Sequence, residues 1–528
     1  MSEHGDRSGD SPKPRRLAAL IGLVAILALG AALRRNDLAQ ESVWLDEYFS
    51  LAHLDSPSLT DFLRDQRAEN WEMTPLYYSL QYGWAHAVGA STVSIRGLSV
   101  VFGLAAIALA WLLGRRMTGP WGAWTAALLM ALSPFHIFHA QGVRPYALVT
   151  LLALFSCYAL LRFHASPHGG RWLALHLATN VALAWTHLFT LLLFVAQGVW
   201  LTVVAGLLTE PLLRPKTVSK GLRRIVFWTS GHALTLWPVL LWVATIRTVP
   251  SPEHEPPGLL RLPHMLFRLD GEPINWSLRS IEKIMEAGLS DDLMFLLMLR
   301  GPLQWCLVAA LALGAALAAG GILKHRRKAN DEWLLAALVF LLPPLMLFSL
   351  AHAWRPECFN ARYVLYASPA LYLLVGYGLE RIPRRALRTA LLLALALPMA
   401  LQALLATQLP LRTDYLAAAR HIRTHGAPDD KVFVTEWNVG RVLRFNMEDA
   451  GPVEHVSAEE LLGEALDETP RAWVLLAEGE AAEGLRPRLE AWLDAHDVPF
   501  ATRIFIGMRS LYLYRCGLSP PTGSARSG

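Results

Sequence analysis

The chain has 528 residues, of which 54% are hydrophobic and only 17% are charged, whereas about 25% of residues are charged in soluble domains. This imbalance, together with repeated apolar runs, indicates a polytopic membrane protein. The net charge is +5, but the basic residues lie between apolar segments and build no continuous patch, which argues against nucleic-acid binding. The four cysteines are scattered without ligand spacing, so neither a disulfide framework nor a zinc knuckle is indicated.

Eleven apolar segments have roughly the length needed to cross ~30 Å of hydrocarbon. They lie near 17–33, 95–113, 120–138, 145–163, 172–188, 189–208, 225–246, 302–323, 332–350, 363–380 and 387–407. The first could be mistaken for a signal peptide, but no clear small-residue cleavage site precedes the following loop, so we interpret it as a retained helix. The shorter, aromatic stretch 75–90 is either a twelfth span or, as its length favours, a helix lying in the membrane interface.

Basic residues set the orientation. If 75–90 does not span, the basic connections fall on one side of the membrane, which the positive-inside tendency makes cytoplasmic. They include KPRR (13–16), RPKTVSKGLRR (214–224), KHRRK (324–328) and RIPRRALR (381–388). We therefore expect a cytoplasmic tail at 1–16 and a transmembrane domain at 17–408, with outer loops at 34–94 and 248–301.

The residues after the last span change character. DYLAAARHIRTHG is typical of an amphipathic helix, KVFVT and WVLLAE of short buried strands, RLEAWLDAHD of another helix, and FATRIFIGMRSLYLYRC of a terminal hairpin. These patterns predict a small soluble α/β domain at 409–516 on the outer side. The tail 517–528, GLSPPTGSARSG, has the composition of a disordered segment.

Two adjacent acids, Asp46 and Glu47, stand in the aromatic stretch SVWLDEYFSLAHL (42–54), just past the outer end of the first span. One interpretation is an interfacial turn with solvated acids beside an aromatic belt. The other is a general base or a metal-binding carboxylate at the bilayer surface. Such a base suits a reaction between a lipid-borne donor and a water-borne acceptor.

Two arginines are expected at the same depth. Arg144 lies in HIFHAQGVRPYAL (136–148), and Arg362 lies at the outer mouth of the tenth span. Each arginine either snorkels to the interface or presents its planar fork to phosphate oxygens. His136 and His139 could share a helix face and ligate a metal, although hydrogen-bonding interfacial histidines are favoured over ligation. His187 falls in another outer turn, where a polar contact within the bundle is the alternative to a catalytic role.

A carboxylate pair, two arginines and several histidines thus face one compartment, at the depth of a lipid phosphate. This arrangement fits sugar transfer from a polyprenyl-phosphate carrier. The leaving lipid phosphate needs its charge stabilised by arginine or by a divalent cation, and the acceptor hydroxyl needs a base near the C1 atom of the sugar. Carboxylates serve both roles in sugar chemistry.

Six motifs in order resemble the GT-C glycosyltransferases, in particular the protein-mannosyltransferase and aminoarabinose-transferase branch that includes the bacterial Rgt-type enzymes. The motifs are WLDEYFS (44–50), TPLYYSLQYGWAHAVG (74–89), IRGLSVVFGLAAIALAWLLGRR (95–116), LSPFHIFHAQGVRPYAL (132–148), THLFTLLLF (186–194) and ARYVLYASPAL (361–371). The resemblance implies inverting transfer from a polyprenyl-phosphate sugar on the outer membrane face. It implies a catalytic role for Asp46, with Glu47 as its helper.

The same resemblance suggests the substrate contacts. Residues expected near the donor phosphate are Arg144, Tyr146, Arg362 and Tyr363, and further candidate contacts are Trp44, His139 and His187. Two departures put donor contacts and any metal site in question. The family often has a basic residue or histidine before Pro-Pro-Leu, where this chain has Met73 to Leu76, and it often has a carboxylate where this chain has Gly142. Glu69 or Glu72 could substitute.

We therefore expect a polytopic, GT-C-like membrane protein of about 11 helices with a small C-terminal α/β domain. The expected function is that of a bacterial inner-membrane glycosyltransferase active on the periplasmic or extracellular face. The expected partners are a polyprenyl-phosphate sugar donor, the lipid bilayer and a glycolipid, polysaccharide or protein acceptor, with a divalent cation as a candidate cofactor. The alternative is a non-catalytic transporter or a degenerate lipid-phosphate-sugar binder, although the two related halves typical of transporters are not evident.

Overall fold

The computed structural model describes residues 12–245, 316 and 332–517, with gaps at 37, 40, 70–72, 167–168, 205–214, 355, 407–411, 428, 448–451, 470 and 506–508. Four expectations therefore fall wholly or mostly outside the described residues. They are the tail 1–16, of which 12–16 are described, the outer loop 248–301, all but one residue of the predicted span 302–323, and all but the first residue of the tail 517–528. Glu72 also lies outside them.

The part of the chain before the C-terminal region contains no strand among its described residues. Its helices are α1 (Pro12–Arg35), α2 (Leu45–Leu51), α3 (Leu59–Glu69), α4 (Pro75–Val88), α5 (Thr92–Met117), α6 (Pro120–Leu132), α7 (Pro134–Ala140), α8 (Tyr146–Ala165), α9 (Gly170–Thr186), α10 (Leu191–Val204), α11 (Pro215–Ala244), α12 (Glu332–Ala353), α13 (Ser368–Glu380) and α14 (Arg385–Ala406). Short 3₁₀ turns occupy Leu188–Thr190, Pro356–Cys358 and Ala361–Ala367.

Within the described residues, five helices are long and apolar enough to cross a membrane, or six if the bent pair α6 and α7 is one span. Helices also form at the predicted spans 17–33, 172–188, 189–208 and 363–380, and the count of eleven stays a prediction. Helix α4 has 14 residues and is about 21 Å long, short of the ~30 Å needed to span. It packs against α3, α5 and α9.

The bend between α6 and α7 positions part of the site. Ser133 is extended, with φ −62° and ψ 114°, because the residue before a proline disfavours the helical region. Pro134 then begins the next helix. The two helices meet at 60°. The Ser133 side chain accepts a hydrogen bond from the backbone N–H of His136 and so caps α7.

Small residues let two helices of the membrane region approach closely. A Cβ atom added at Gly376 of α13 would lie 2.8 Å from the Cα atom of Gly122 in α6. In lipid the hydrophobic effect does not drive helices together, so close van der Waals packing at small residues stabilises such contacts instead. The described apolar core continues from these helices into α5, α8, α10 and α12.

The C-terminal region is an α/β unit with a five-stranded sheet. Its longer helices are α15 (Tyr415–His425), α16 (Trp437–Asn446) and α17 (Glu480–Ala495), and three short consecutive helical turns cover Ala458–Glu460, Leu461–Ala465 and Leu466–Glu468. Its strands are β1 (Lys431–Val434), β2 (Val453–His455), β3 (Ala472–Ala477), β4 (Phe500–Phe505) and β5 (Leu511–Cys516). The strand order is β2-β1-β3-β5-β4, with β1 parallel to β2 and β3 and β5 antiparallel to β3 and β4.

Every residue of β3 is buried, because apolar clusters cover both faces of the sheet: α15 and α16 on one face and α17 on the other. The two helices, two strands and hairpin expected from the sequence all occur. The domain limits 409–516 stay a prediction.

Candidate active site

The two acids lie in the first turn of α2, where carboxylates favour the positive end of a helix. Their surroundings differ. Glu47 is fully buried, whereas the Asp46 side chain is 19% exposed. Asp46 therefore remains open to a reactant, and Glu47 does not.

Asp46 and both predicted arginines come together. Arg362 donates from Nη1 to Oδ2 of Asp46 at 2.5 Å. Arg144 donates from Nη1 to the backbone oxygen of Asp46 at 3.0 Å and to Oγ of Ser50 at 3.4 Å. One arginine thus holds the carboxylate, and the other holds the backbone of the same helix.

Both guanidinium groups stay cationic. Burial by itself lowers the pKa of Arg144, but Tyr78, Asp46 and Tyr146 more than offset it, so the pKa lies well above its ordinary value. Burial also opposes the charge of Arg362, and Tyr146 and Asp46 again raise its pKa above the ordinary value. The Nε atoms of both arginines are buried and have no hydrogen-bond partner among the described residues. Each arginine therefore keeps one N–H donor inside the site that the described residues leave unsatisfied.

Glu47 forms a buried ion-pair network. Arg96 donates to it from Nε at 3.0 Å and from Nη2 at 2.7 Å, and both side chains are fully buried. The backbone N–H of Val143 donates to Oε1 at 3.0 Å, and Nη1 of Arg412 lies 3.6 Å from Oε2. Burial raises the pKa of Glu47, but Arg412 and Arg96 outweigh it, so the pKa lies below its ordinary value.

Arg96 and Arg412 are functional candidates that the sequence analysis did not single out. Arg96 stands in the first turns of α5, a helix otherwise apolar up to its basic end, and an arginine beside a membrane segment requires a partner. Its other N–H groups donate to the backbone oxygens of Leu38, Glu41 and Ser42 at 2.7 to 3.0 Å. The need of a membrane-embedded arginine for a partner was the signal in the sequence that could have identified Arg96. Arg412 carried no such signal, because it lies in a polar segment after the last span.

Aromatic and histidine rings connect the two arginines. The ring of Tyr146 lies 4.8 Å from that of His139 and 5.6 Å from that of His187. His187 lies 5.2 Å from Tyr363, which stacks on Phe189 at 4.8 Å. Four predicted contact residues thus form one wall. The fifth, Trp44, is half-buried and contacts Phe138 at 6.3 Å between ring centroids.

The predicted histidine pair is divided between two environments. Nε2 of His136 lies 2.7 Å from Oγ of Ser368, whereas His139 is enclosed by the rings of Phe135, Phe138 and Tyr146. Among the described residues, no group of three or more His, Cys, Asp or Glu side chains is arranged to hold a metal ion. The sequence leaves a divalent cation as a candidate cofactor, and we assign no step to one.

Gly142 lies next to the charged groups of Arg412 and Glu47. A Cβ atom at this position would lie 3.4 Å from Nη2 of Arg412 and 3.8 Å from Oε1 of Glu47. Arg412 is paired with Glu41 at 3.1 Å. Glu69, one of the two acids considered as a substitute for a carboxylate at 142, instead pairs with Arg441 at 2.8 Å.

Comparison with known protein families finds a match over part of the chain. A family model described as dolichyl-phosphate-mannose-protein mannosyltransferase matches residues 73–242. This segment includes Arg96 and Arg144 but neither Asp46 nor Arg362. Among curated proteins, no sequence matches the chain.

Solved structures match over nearly the whole chain. ArnT from Cupriavidus metallidurans in the apo state is 13% identical with a TM-score of 0.52, over 95% of this chain and 98% of that chain. The same protein bound to undecaprenyl phosphate is 13% identical with a TM-score of 0.51, over 98% of this chain and 100% of that chain. At this identity the likeness is one of fold. The family match over 73–242 and the shared fold confirm the predicted resemblance.

Proposed function

We propose that this protein transfers a sugar from a polyprenyl-phosphate-linked donor to an acceptor on the periplasmic or extracellular face of the bacterial inner membrane. The observation that carries the proposal is the pair between Asp46 and Arg362, with Arg144 bound to the same short helix. At a membrane boundary, the carboxylate can accept the proton of an acceptor hydroxyl. The two arginines can stabilise the negative charge of a lipid phosphate.

The donor class has independent support. An ArnT with the same fold has been solved with undecaprenyl phosphate bound, and the family matched at 73–242 is named for a dolichyl-phosphate donor. Both are polyprenyl phosphates. In this chain, the unpartnered Nε atoms of Arg144 and Arg362 would donate to the oxygens of such a phosphate.

The chemistry is an inverting displacement. The acceptor oxygen attacks C1 of the sugar from the face opposite the phosphate, while the bond between C1 and the phosphate oxygen breaks. The acceptor proton passes to the Asp46 carboxylate, and the electron pair of the broken bond leaves on the lipid phosphate. Arg144 and Arg362 compensate the charge that develops there.

The pair between Asp46 and Arg362 also gives the donor a second role. When the donor phosphate binds beside Arg362, it competes for the guanidinium and releases the carboxylate toward the acceptor. Base activation then follows donor binding, which limits proton transfer to the loaded enzyme.

Glu47 supports the site from inside. Because it is fully buried and paired with Arg96, we assign it the role of fixing α2 rather than of contacting the substrate. In the wall of Tyr146, Tyr363, His139 and His187 rings, the partly exposed rings of His187 and Tyr363 offer faces on which a sugar ring can pack. The buried rings of His139 and Tyr146 support them from behind. Trp44, which contacts Phe138 beside His139, is assigned to the edge of the same wall.

The proposal places the N-terminus in the cytoplasm and the C-terminal α/β domain outside, following the basic loops. A glycolipid, a polysaccharide or a protein would serve as the acceptor. The alternative, a non-catalytic transporter or binder, rests on Gly142 in place of a carboxylate. The positions of Arg412 and Glu47 beside Gly142 supply charged groups there and weaken that alternative.

The test is turnover by the purified full-length protein in lipid nanodiscs, with a panel of polyprenyl-phosphate sugars and cell-envelope acceptors. We expect acceptor-dependent release of free polyprenyl phosphate and a product whose anomeric configuration is opposite to that of the donor. Retained configuration would refute the inverting mechanism. Binding of a donor without any turnover across the panel would favour the non-catalytic alternative.

A further inference from the structure

The C-terminal α/β domain is hydrogen-bonded to the segment that leads into α2. Asn446, the last residue of α16, donates from Nδ2 to the backbone oxygen of Val43 at 3.0 Å. Its Oδ1 lies 3.4 Å from Oγ of Ser42, and the same Oγ accepts from the backbone N–H of Leu416 in α15 at 3.2 Å. These bonds end three residues before Asp46.

Arg412 makes the second attachment. It precedes α15 and is 3% exposed. It reaches Glu41 at 3.1 Å and Glu47 at 3.6 Å, and it donates from Nη2 to the backbone oxygen of Gln141 at 3.0 Å. One side chain thus bridges the start of the domain, the α2 segment and the loop that carries Arg144.

Apolar contacts complete the attachment. Leu45 and Tyr48 of α2 pack against the apolar cluster between the sheet, α15 and α16. The Tyr48 ring meets the ring of Phe445 edge-on at 5.8 Å. In the sequence, Asp46 therefore lies between Leu45 and Tyr48, whose side chains are held by the C-terminal domain.

Helix α2 needs this support. It has seven residues, and isolated helices shorter than about 12 residues are marginal in water. Its position therefore depends on tertiary contacts. A misplacement of about 1 Å in a reacting group can cost on the order of 100-fold in rate, so the contacts that fix α2 also set the efficiency of the base.

We propose that Asn446 and Arg412 are positioning residues through which the C-terminal α/β domain fixes α2 and thereby the position of Asp46. The inference rests on the proposed function, because it assigns a task to the base named there. It makes the outer domain part of the transfer step, whatever its contribution to acceptor binding.

The test compares Asn446→Ala with Asn438→Ala in the full-length protein. Asn438 lies on the same helix, and its buried Oδ1 has no hydrogen-bond partner among the described residues, so it is a matched control. We expect Asn446→Ala to lower kcat by about 10- to 100-fold with little change in the KM for the donor. Asn438→Ala should leave both near the wild-type values.

Arg412 supplies a second test. Arg412→Gln should lower kcat, and Arg412→Lys, which keeps the charge beside Glu41 and Glu47, should restore part of it. All rates are measured well below each variant's unfolding midpoint and are normalised to folded protein. Loss of folded protein then cannot imitate loss of positioning. A rise in donor KM with unchanged kcat would indicate a binding role and overturn the proposal.

An Asp46→Asn sample measured in parallel separates this inference from the proposed function. If Asp46→Asn turns over at the wild-type rate, the base assignment fails, and the positioning role fails with it. If Asp46→Asn is inactive while Asn446→Ala and Arg412→Gln keep the wild-type kcat, only the positioning role is refuted.

Discussion

Asp46 and Glu47 are adjacent residues whose carboxylates pair with different arginines. Oδ2 of Asp46 lies 2.5 Å from Nη1 of Arg362, whereas Oε2 of Glu47 lies 2.7 Å from Nη2 of Arg96. The first pair is partly exposed, and the second is fully buried. Two acids that look equivalent in the sequence therefore have different consequences when they are changed.

Glu47→Gln should destabilise the protein. Removing one partner of a buried ion pair leaves uncompensated charge and costs about 3–5 kcal/mol in the free energy of unfolding. Asp46→Asn, at a partly exposed pair, should cost less. Denaturant unfolding of both variants in the same detergent measures the difference. Equal unfolding free energies for Glu47→Gln and wild type would contradict the network described for Glu47.

The Glu47 carboxylate also predicts that the stability of the protein depends on pH. Its pKa in the folded protein lies below the ordinary value of 4.5, owing to Arg412 and Arg96. It therefore contributes stability that is fully present above the unfolded pKa and is lost as the pH falls through the lower, folded pKa. Unfolding midpoints of wild type and Glu47→Gln should differ most near neutral pH and converge in acid. A gap that stays constant through the acid range would refute this contribution.

Arg362→Gln should lower kcat/KM by about 10²- to 10³-fold, because it removes a cation from the position of the leaving phosphate. Arg362→Lys keeps the charge but loses the planar fork, so it should fall between Arg362→Gln and wild type. Steady-state kinetics with a polyprenyl-phosphate sugar measure both variants. If Arg362→Gln and wild type have the same kcat/KM, Arg362 does not act on the phosphate.

A polar cluster in the membrane region should affect stability but not catalysis. Asn180 donates from Nδ2 to Nε2 of His232 in α11 at 2.8 Å and to Oε1 of Gln197 in α10 at 3.1 Å. Asn180→Leu should therefore loosen α11 and cost about 1–2 kcal/mol with kcat unchanged. Thr179→Ala is the control, because the Thr179 hydroxyl donates to the Leu175 backbone oxygen of its own helix and has no other hydrogen bond within the described part of the chain. Equal unfolding midpoints for the two variants would argue against an interhelical role.

The convergence of Asp46, Arg144 and Arg362 could be predicted because all three lie at ends of apolar segments that the charge pattern puts on one side of the membrane. A membrane imposes a common depth on such ends, and the structure adds the pairing. The pattern of short apolar runs likewise predicted α15, β1, β3, the C-terminal half of α17 and the hairpin of β4 and β5. Each is an element whose burial follows local periodicity.

The partners of Glu47 could not be predicted in the same way. Arg96 and Arg412 are brought to it by tertiary packing across two separate parts of the chain, which local sequence does not encode. Helix α16 was missed, although Val439, Val442 and Leu443 follow helical spacing and are buried. Strand β2 has only three residues, too few to show an alternation. Its place at the edge of the sheet depends on pairing with β1.

Turnover by Asp46→Asn, measured beside its affinity for the donor, tests the central claim most directly. The substitution keeps the size of the side chain and removes its basicity. We predict that kcat falls by about 10²- to 10⁴-fold while the polyprenyl-phosphate sugar still binds. Transfer by Asp46→Asn at the wild-type rate would contradict the account.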